Sequence, residues 1–213
     1  MLDFGNVLII GAHYDDSELG AGGTAARLIR EGHKVYKMTL TDTVVKSEDM
    51  KLDITNDRAR DNSKNACLAL GGVEELEIPL QPYGNLRYTQ EGMQAIEHLI
   101  LEKAIDTVFM HYADDYNTDH LEAHKICKTA ARHVKNLFMY QSNPYIIYEH
   151  FCPNYYIDIS EFVEMKREAL DCYDAEHDRW GHLFRTNIQR NEIWGYGNHV
   201  KSAEGFCAIK TFV

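Results

Sequence analysis

The 213 residues contain no dense basic run and no apolar stretch long enough to span a bilayer, and the formal net charge is −11. The missing basic run, with that acidic balance, argues against nucleic acid or anionic membrane as the main partner. The missing apolar stretch argues against membrane insertion. The first residues lack a basic n-region, so their apolar run reads as a first strand rather than a signal peptide. The five cysteines, Cys67, Cys127, Cys152, Cys172 and Cys207, form no Cys-x-x-Cys pair. They read as reduced thiols of a cytoplasmic protein. Internal repeats, low-complexity tracts and linkers are also missing. Residues 1–213 therefore read as one domain, large enough for a proper core.

What is present begins with an apolar run at residues 7–12, which has the length and β-branching of a buried strand. It breaks off into His13, Tyr14, Asp15 and Asp16, then into a glycine-rich turn, Gly20-Ala21-Gly22-Gly23, with a helical pattern over 24–32. Polar residues at the carboxyl end of a core strand lie where open α/β sheets bind ligands. Neutral imidazole and carboxylate suit zinc and similar divalent ions. His13 and Asp16 are close enough in sequence to hold one ion together. Asp15 then sits beside the metal without binding it, which suits a general base acting on metal-bound water. The competing reading is that these residues only cap the following helix.

A second polar stretch follows a strand at 107–111: His111, Asp114, Asp115, Asn117, Asp119, His120 and His124 all fall within fourteen residues. Parallel strands point their carboxyl ends to one rim, so the two polar loops should meet there. His13, Asp16 and His120 would then form a three-ligand site with a position left for water. His120 and His124 have the spacing of a helical zinc site, but Leu121 stands where metalloprotease chemistry needs glutamate. His124 is accordingly read as a supporting or packing residue and His111 as a rim residue. Two histidines and a carboxylate also match the facial triad of iron oxygenases. Gly20-x-Gly-Gly also resembles the phosphate-cradling turn of a nucleotide- or sugar-binding module. Asp15 favours hydrolysis over the first alternative. Against the second, His13 to Asp16 occupy the place where dinucleotide-binding glycines would stand.

Elsewhere the pattern predicts strands at 34–41, 76–80 and 137–141, and helices at 56–70 and 91–103. Asn56 is the expected cap of the first of these helices, and Gly71-Gly72 its stop. Residues 43–56 are polar and weakly patterned, long enough for a flap over the site. Two further strands, at 146–151 and 155–159, are expected to run antiparallel, before a helix at 160–173. The alternation predicts an α/β fold, Rossmann-like and doubly wound, with a mostly parallel sheet and helices on both faces.

His13-x-Asp-Asp-x-Glu-Leu-Gly-x-Gly-Gly-Thr24 resembles the first motif of the LmbE/PIG-L family of zinc-dependent deacetylases, with Tyr14 where that family usually has proline. Asn117-x-Asp-His120 resembles its second motif, and Lys166-Arg-Glu-Ala-Leu170 and Ala203-Glu-Gly-Phe206 resemble two later segments. The resemblance implies Zn2+ or another divalent metal on His13, Asp16 and His120, with Asp15 as base and Asp119 as the close companion of His120. Many members have a histidine where this chain has Asn117. Asparagine can donate to an oxyanion but cannot shuttle a proton. Arg58 and Arg60 are the candidates for a substrate-contacting arginine, and Tyr83, Tyr112, Tyr116 and Trp194 for stacking on a sugar ring. The implied activity is removal of the N-acetyl group from an N-acetylglucosamine-type sugar or conjugate. The oligomeric state is left open, a homo-oligomer included.

Overall fold

A computed structural model describes residues 2–48, 52–145, 150–173 and 178–212. The chain opens with β1 (Asn6–Gly11), α1 (Asp16–Arg30) and β2 (Val35–Thr39), followed by a hairpin of β3 (Val45–Ser47) and β4 (Leu52–Ile54). Next come α2 (Asn56–Ala69), β5 (Glu74–Leu76), α3 (Gln90–Glu102), β6 (Ile105–His111), α4 (Thr118–Ala130) and β7 (Asn136–Tyr140). The chain finishes with β8 (Tyr155–Asp158), α5 (Val163–Asp171), α6 (Asp178–Gly197) and β9 (Ala203–Lys210). No helix among the described residues is long and apolar enough to cross a membrane.

Seven strands form one sheet in the order β5-β2-β1-β6-β7-β9-β8. The first five run parallel, β9 lies antiparallel to β7, and β8 antiparallel to β9. The expected doubly wound, mostly parallel sheet is therefore present. Side chains alternate across β1, so each face feeds its own core. Val7 and Ile9 pack on the face covered by α1, α2, α5 and α6, and Leu8 and Ile10 on the face covered by α3 and α4. From β1 the chain winds outward through β2 and β5, then returns to place β6 on the other side of β1. The strand order reverses between β1 and β6, and ligand sites open at such a switch point, at the carboxyl ends.

Several boundaries differ from the sequence reading. Helix α1 begins at Asp16, eight residues before Thr24, and runs through the glycines with a kink at Ala21 (φ −147°, ψ 21°). The glycines let this helix press onto its neighbours. A Cβ on Gly20 would lie 2.1 Å from the Tyr140 ring, and one on Gly23 would lie 2.7 Å from Ile159. The backbone groups freed by the kink are taken by a buried ion pair from the end of the chain. Lys166 Nζ donates to Leu19 O (2.9 Å) and to Glu204 (2.6 Å). Glu204 accepts from the N–H groups of Gly23 (3.0 Å) and Thr24 (2.7 Å). The two late family-like segments thus meet at this kink.

Thr55, not Asn56, caps α2, its hydroxyl accepting from Arg58 N at 3.3 Å. Strand β5 sits two residues before the expected 76–80, where Leu76 pairs with Met38. Helix α5 starts three residues after Ser160, which instead closes a turn on Asp158 (2.9 Å). Of the strand expected at 146–151, residues 146–149 lie outside the described residues, and His150 and Phe151 are not in a strand. Helix α6 and strand β9 were not anticipated as elements.

Candidate metal centre

His13 lies in the short turn between β1 and α1, and Asp16 is the first residue of α1. His120 lies in the first turn of α4, which Asn117 caps by accepting from Asp119 N at 2.9 Å. The switch point brings the two turns together. His13 Nδ1 is 3.3 Å from Asp16 Oδ2, and His120 Nε2 is 3.2 Å from both Asp16 Oδ1 and His13 Nδ1. One donor atom from each of these buried residues lies within 4.8 Å of the other two. The far nitrogen of each ring is held by a carboxylate: His13 Nε2 lies 3.2 Å from Asp119, and His120 Nδ1 lies 2.9 Å from Asp115. Both carboxylates are anchored in turn. Asp119 accepts from Gly84 N (2.7 Å) and Leu86 N (3.0 Å), and Asp115 accepts from Asn117 N (2.8 Å). Two imidazole nitrogens and a carboxylate, with the outer nitrogens fixed by carboxylates, make a donor set that could hold a divalent ion.

Two assignments change here. Asp119 is the companion of His13 rather than of His120; that place belongs to Asp115, which the sequence reading did not single out. His111 is not on the rim. It is 1% exposed, stacks on His120 with ring centroids 4.1 Å apart, and reaches Asp16 at 3.2 Å. His124 bonds the carbonyl of His111 (3.0 Å) and stands outside the three-donor cluster.

Burial alone would raise the Asp16 pKa, but His120 and His111 hold it well below the usual carboxylate range. Burial alone would lower the His120 pKa, yet Asp16 and Asp115 lift it to about 10. At His13, hydrogen bonds donated to the Asp119 and Asp16 carboxylates likewise outweigh burial and raise the pKa. His111 is pushed down to about 4 by burial and by the charge of His120. Asp15 is pushed up to about 6, by burial first and the neighbouring Asp16 charge second. The centre is therefore a buried anion balanced by protons on imidazole, a balance that a divalent cation also meets.

The cluster opens onto a cavity of about 610 Å³, which Asp15 and Asn117 also line. Val45 and Ile54 of the β3–β4 hairpin line it too, so the 43–56 segment does contribute to the wall of the site. Tyr83 and Tyr116 line the cavity, and so does Tyr145, 6.3 Å from the Tyr116 ring and absent from the sequence reading. Tyr112 and Trp194 do not; each packs on Phe151 instead, at 5.1 and 6.1 Å. Neither Arg58 nor Arg60 is among the lining residues, and Arg60 is ion-paired with Glu77. Tyr173, two residues past α5, and His182 of α6 also line the wall and carried no sequence signal of their own.

The sequence profile of the family described as PIG-L, GlcNAc-PI de-N-acetylase, matches residues 8–131, the span from β1 through α4 that holds both polar loops. An uncharacterized deacetylase of Escherichia coli (strain K12), YaiS, is 26% identical over 141 residues, which is 64% of this chain and 73% of that protein. Among solved structures, the N,N'-diacetylchitobiose deacetylase of Pyrococcus horikoshii superposes with a TM-score of 0.80 at 19% identity, over 96% of this chain and 83% of that one. The 4-carboxy-2-hydroxymuconate hydratase GalB of Pseudomonas putida KT2440 also reaches a TM-score of 0.80, at 20% identity, over 98% of each chain. A hydratase and a deacetylase thus share this fold, and function has to be argued from the site.

Proposed function

The chain belongs to the PIG-L family, and on that premise we propose that it is a metal-dependent N-deacetylase acting on an N-acetylated amino sugar or its conjugate. The observation that carries this reading is the convergence of His13, Asp16 and His120, with each outer imidazole nitrogen on its own carboxylate. These three residues would hold the ion, zinc being the expected one. A divalent ion there supplies Lewis acidity toward the amide carbonyl and a lowered pKa for water.

The remaining steps belong to the side chains. Asp15 lines the cavity, is not one of the three donors, and is held above the usual carboxylate range by burial. It takes the proton of the attacking water and returns it to the departing amine. Asn117 commits its carbonyl oxygen to the cap of α4, so its amide NH2 is the group left to donate to an oxyanion. Asp119 is a positioning residue: His13 and two backbone N–H groups occupy its carboxylate. Tyr83, Tyr116 and Tyr145 supply ring faces for the sugar. The test is release of free amine from a panel of N-acetylglucosamine conjugates, with protein stripped of metal and reloaded with zinc. Full zinc occupancy without amine release from any conjugate refutes the reading.

A further inference from the structure

Behind the catalytic turn lies a buried lysine that the chemistry above does not use. Lys37, in the middle of β2 and 1% exposed, points its ammonium into a pocket of polar atoms drawn from α1, α2, the turn before α1 and the residues just past α5. Its Nζ lies 2.7 and 2.9 Å from the two Glu18 oxygens, 2.8 Å from Ser63 Oγ, 2.9 Å from Tyr173 Oη and, closest, 2.5 Å from the carbonyl oxygen of Tyr14, so its three protons are shared among four partners. Each hydroxyl has a single proton to give. Ser63 gives its proton to Glu75, and Tyr173 gives its own to the Tyr14 carbonyl at 2.8 Å. One backbone oxygen therefore receives an ammonium and a phenol together.

That oxygen belongs to the peptide joining Tyr14 to Asp15. A trans peptide is planar, with its N–H directed away from its carbonyl. Holding the Tyr14 oxygen toward Lys37 and Tyr173 therefore turns the Asp15 N–H to the opposite side and fixes the peptide plane from which the Asp15 side chain departs. We propose that Lys37 and Tyr173 form a positioning clamp on the Tyr14 carbonyl that sets the direction of the Asp15 carboxylate. The proposal rests on Asp15 being the base. The clamp also accounts for how a turn with tyrosine at position 14 is kept rigid: the constraint comes from hydrogen bonds on the backbone oxygen. Glu18, two residues into α1 beyond Asp16, neutralises the ammonium and ties the clamp to the first turn of that helix.

Tyr173→Phe removes one donor by deleting a single oxygen atom. A loosened carboxylate lowers kcat by about 10- to 10²-fold, the scale of a small misplacement of a reacting group. KM and zinc stoichiometry stay at the parent values. Lys37→Met combined with Glu18→Gln removes the ammonium without leaving a buried charge unpaired, and lowers kcat at least as far. A measurement independent of turnover reads the clamp directly. Labelling tyrosine carbonyl carbons and aspartate nitrogens together reports only the Tyr14–Asp15 and Tyr173–Asp174 peptides. Tyr173→Phe deletes the second signal, so the survivor is Tyr14, and its carbon resonance moves upfield as a hydrogen bond is lost. An unmoved resonance overturns the clamp. A raised KM at constant kcat overturns it too, by making Tyr173 a substrate contact, as does loss of zinc, by placing the effect on Asp16. If the parent binds zinc and releases no amine, the deacetylase reading fails, while the resonance still decides the clamp.

Discussion

Replacing Asp115 with asparagine changes one atom and leaves every donor of the centre in place. The Asp115 carboxylate accepts twice, Oδ1 from the Asn117 N–H (2.8 Å) and Oδ2 from His120 Nδ1 (2.9 Å). Asparagine can satisfy only one of these as an acceptor. If its oxygen keeps the Asn117 N–H, its NH2 faces His120 Nδ1 and drives the ring to the tautomer protonated on Nε2. That nitrogen is the one 3.2 Å from Asp16, so the proton sits where the ion belongs. The opposite orientation sets NH2 against the Asn117 N–H and costs about 1–3 kcal/mol for the lost acceptor. Outer carboxylates of this kind contribute about 10- to 100-fold to metal affinity, or about 1.4 to 2.7 kcal/mol. Asp115→Asn should therefore weaken zinc binding by that factor in competition with a chromophoric chelator, with the fold intact by circular dichroism. Alanine at 115 leaves the ring free to take either tautomer, so it costs less affinity than asparagine. Parental affinity in Asp115→Asn, or alanine binding more weakly than asparagine, would show that this carboxylate does not set the metal-facing nitrogen.

Asp15→Asn should lower deacetylation by about 10²–10⁴-fold, the usual contribution of a general base. Its zinc stoichiometry, read by elemental analysis on the same preparation, should match the parent; loss of zinc would make Asp15 a ligand. His13→Ala, Asp16→Ala and His120→Ala should each strip the ion, while His124→Ala should retain it, because His124 bonds a backbone carbonyl outside the cluster. Gly20→Ala sets a methyl group 2.1 Å from the Tyr140 ring, an overpacking that costs about 1–3 kcal/mol. A urea midpoint equal to the parent's would mean that α1 does not press on Tyr140. Lys166→Met leaves Glu204 buried without its partner and should cost about 3–5 kcal/mol; adding Glu204→Gln should recover part of that loss in the same urea titration.

The meeting of His13, Asp16 and His120 and the parallel sheet were legible because both rest on local signals. Apolar runs of strand length end in ionisable residues at His13–Asp16 and at His111–His120, and parallel strands carry their carboxyl ends to one rim. Which carboxylate holds which ring was not legible. Asp115 lies just before α4 and Asp119 four residues on in its first turn, and only the packing of that turn against the 83–86 backbone hands Asp119 to His13 and Asp115 to His120. The glycines of α1 read as a turn because the sequence does not show what closes on them. Tyr140 and Ile159 press close, and Lys166 and Glu204 arrive from more than 140 residues away to satisfy the kinked backbone. The clamp on Tyr14 has the same character: Lys37 falls within a strand pattern, Ser63 on a helix and Tyr173 at a helix end, and none carries a motif. The sequence by itself determined which residue types stand at strand ends and how they alternate. Tertiary structure decided which buried polar atoms meet, because a group removed from water must find its partner wherever the packed elements bring one within reach.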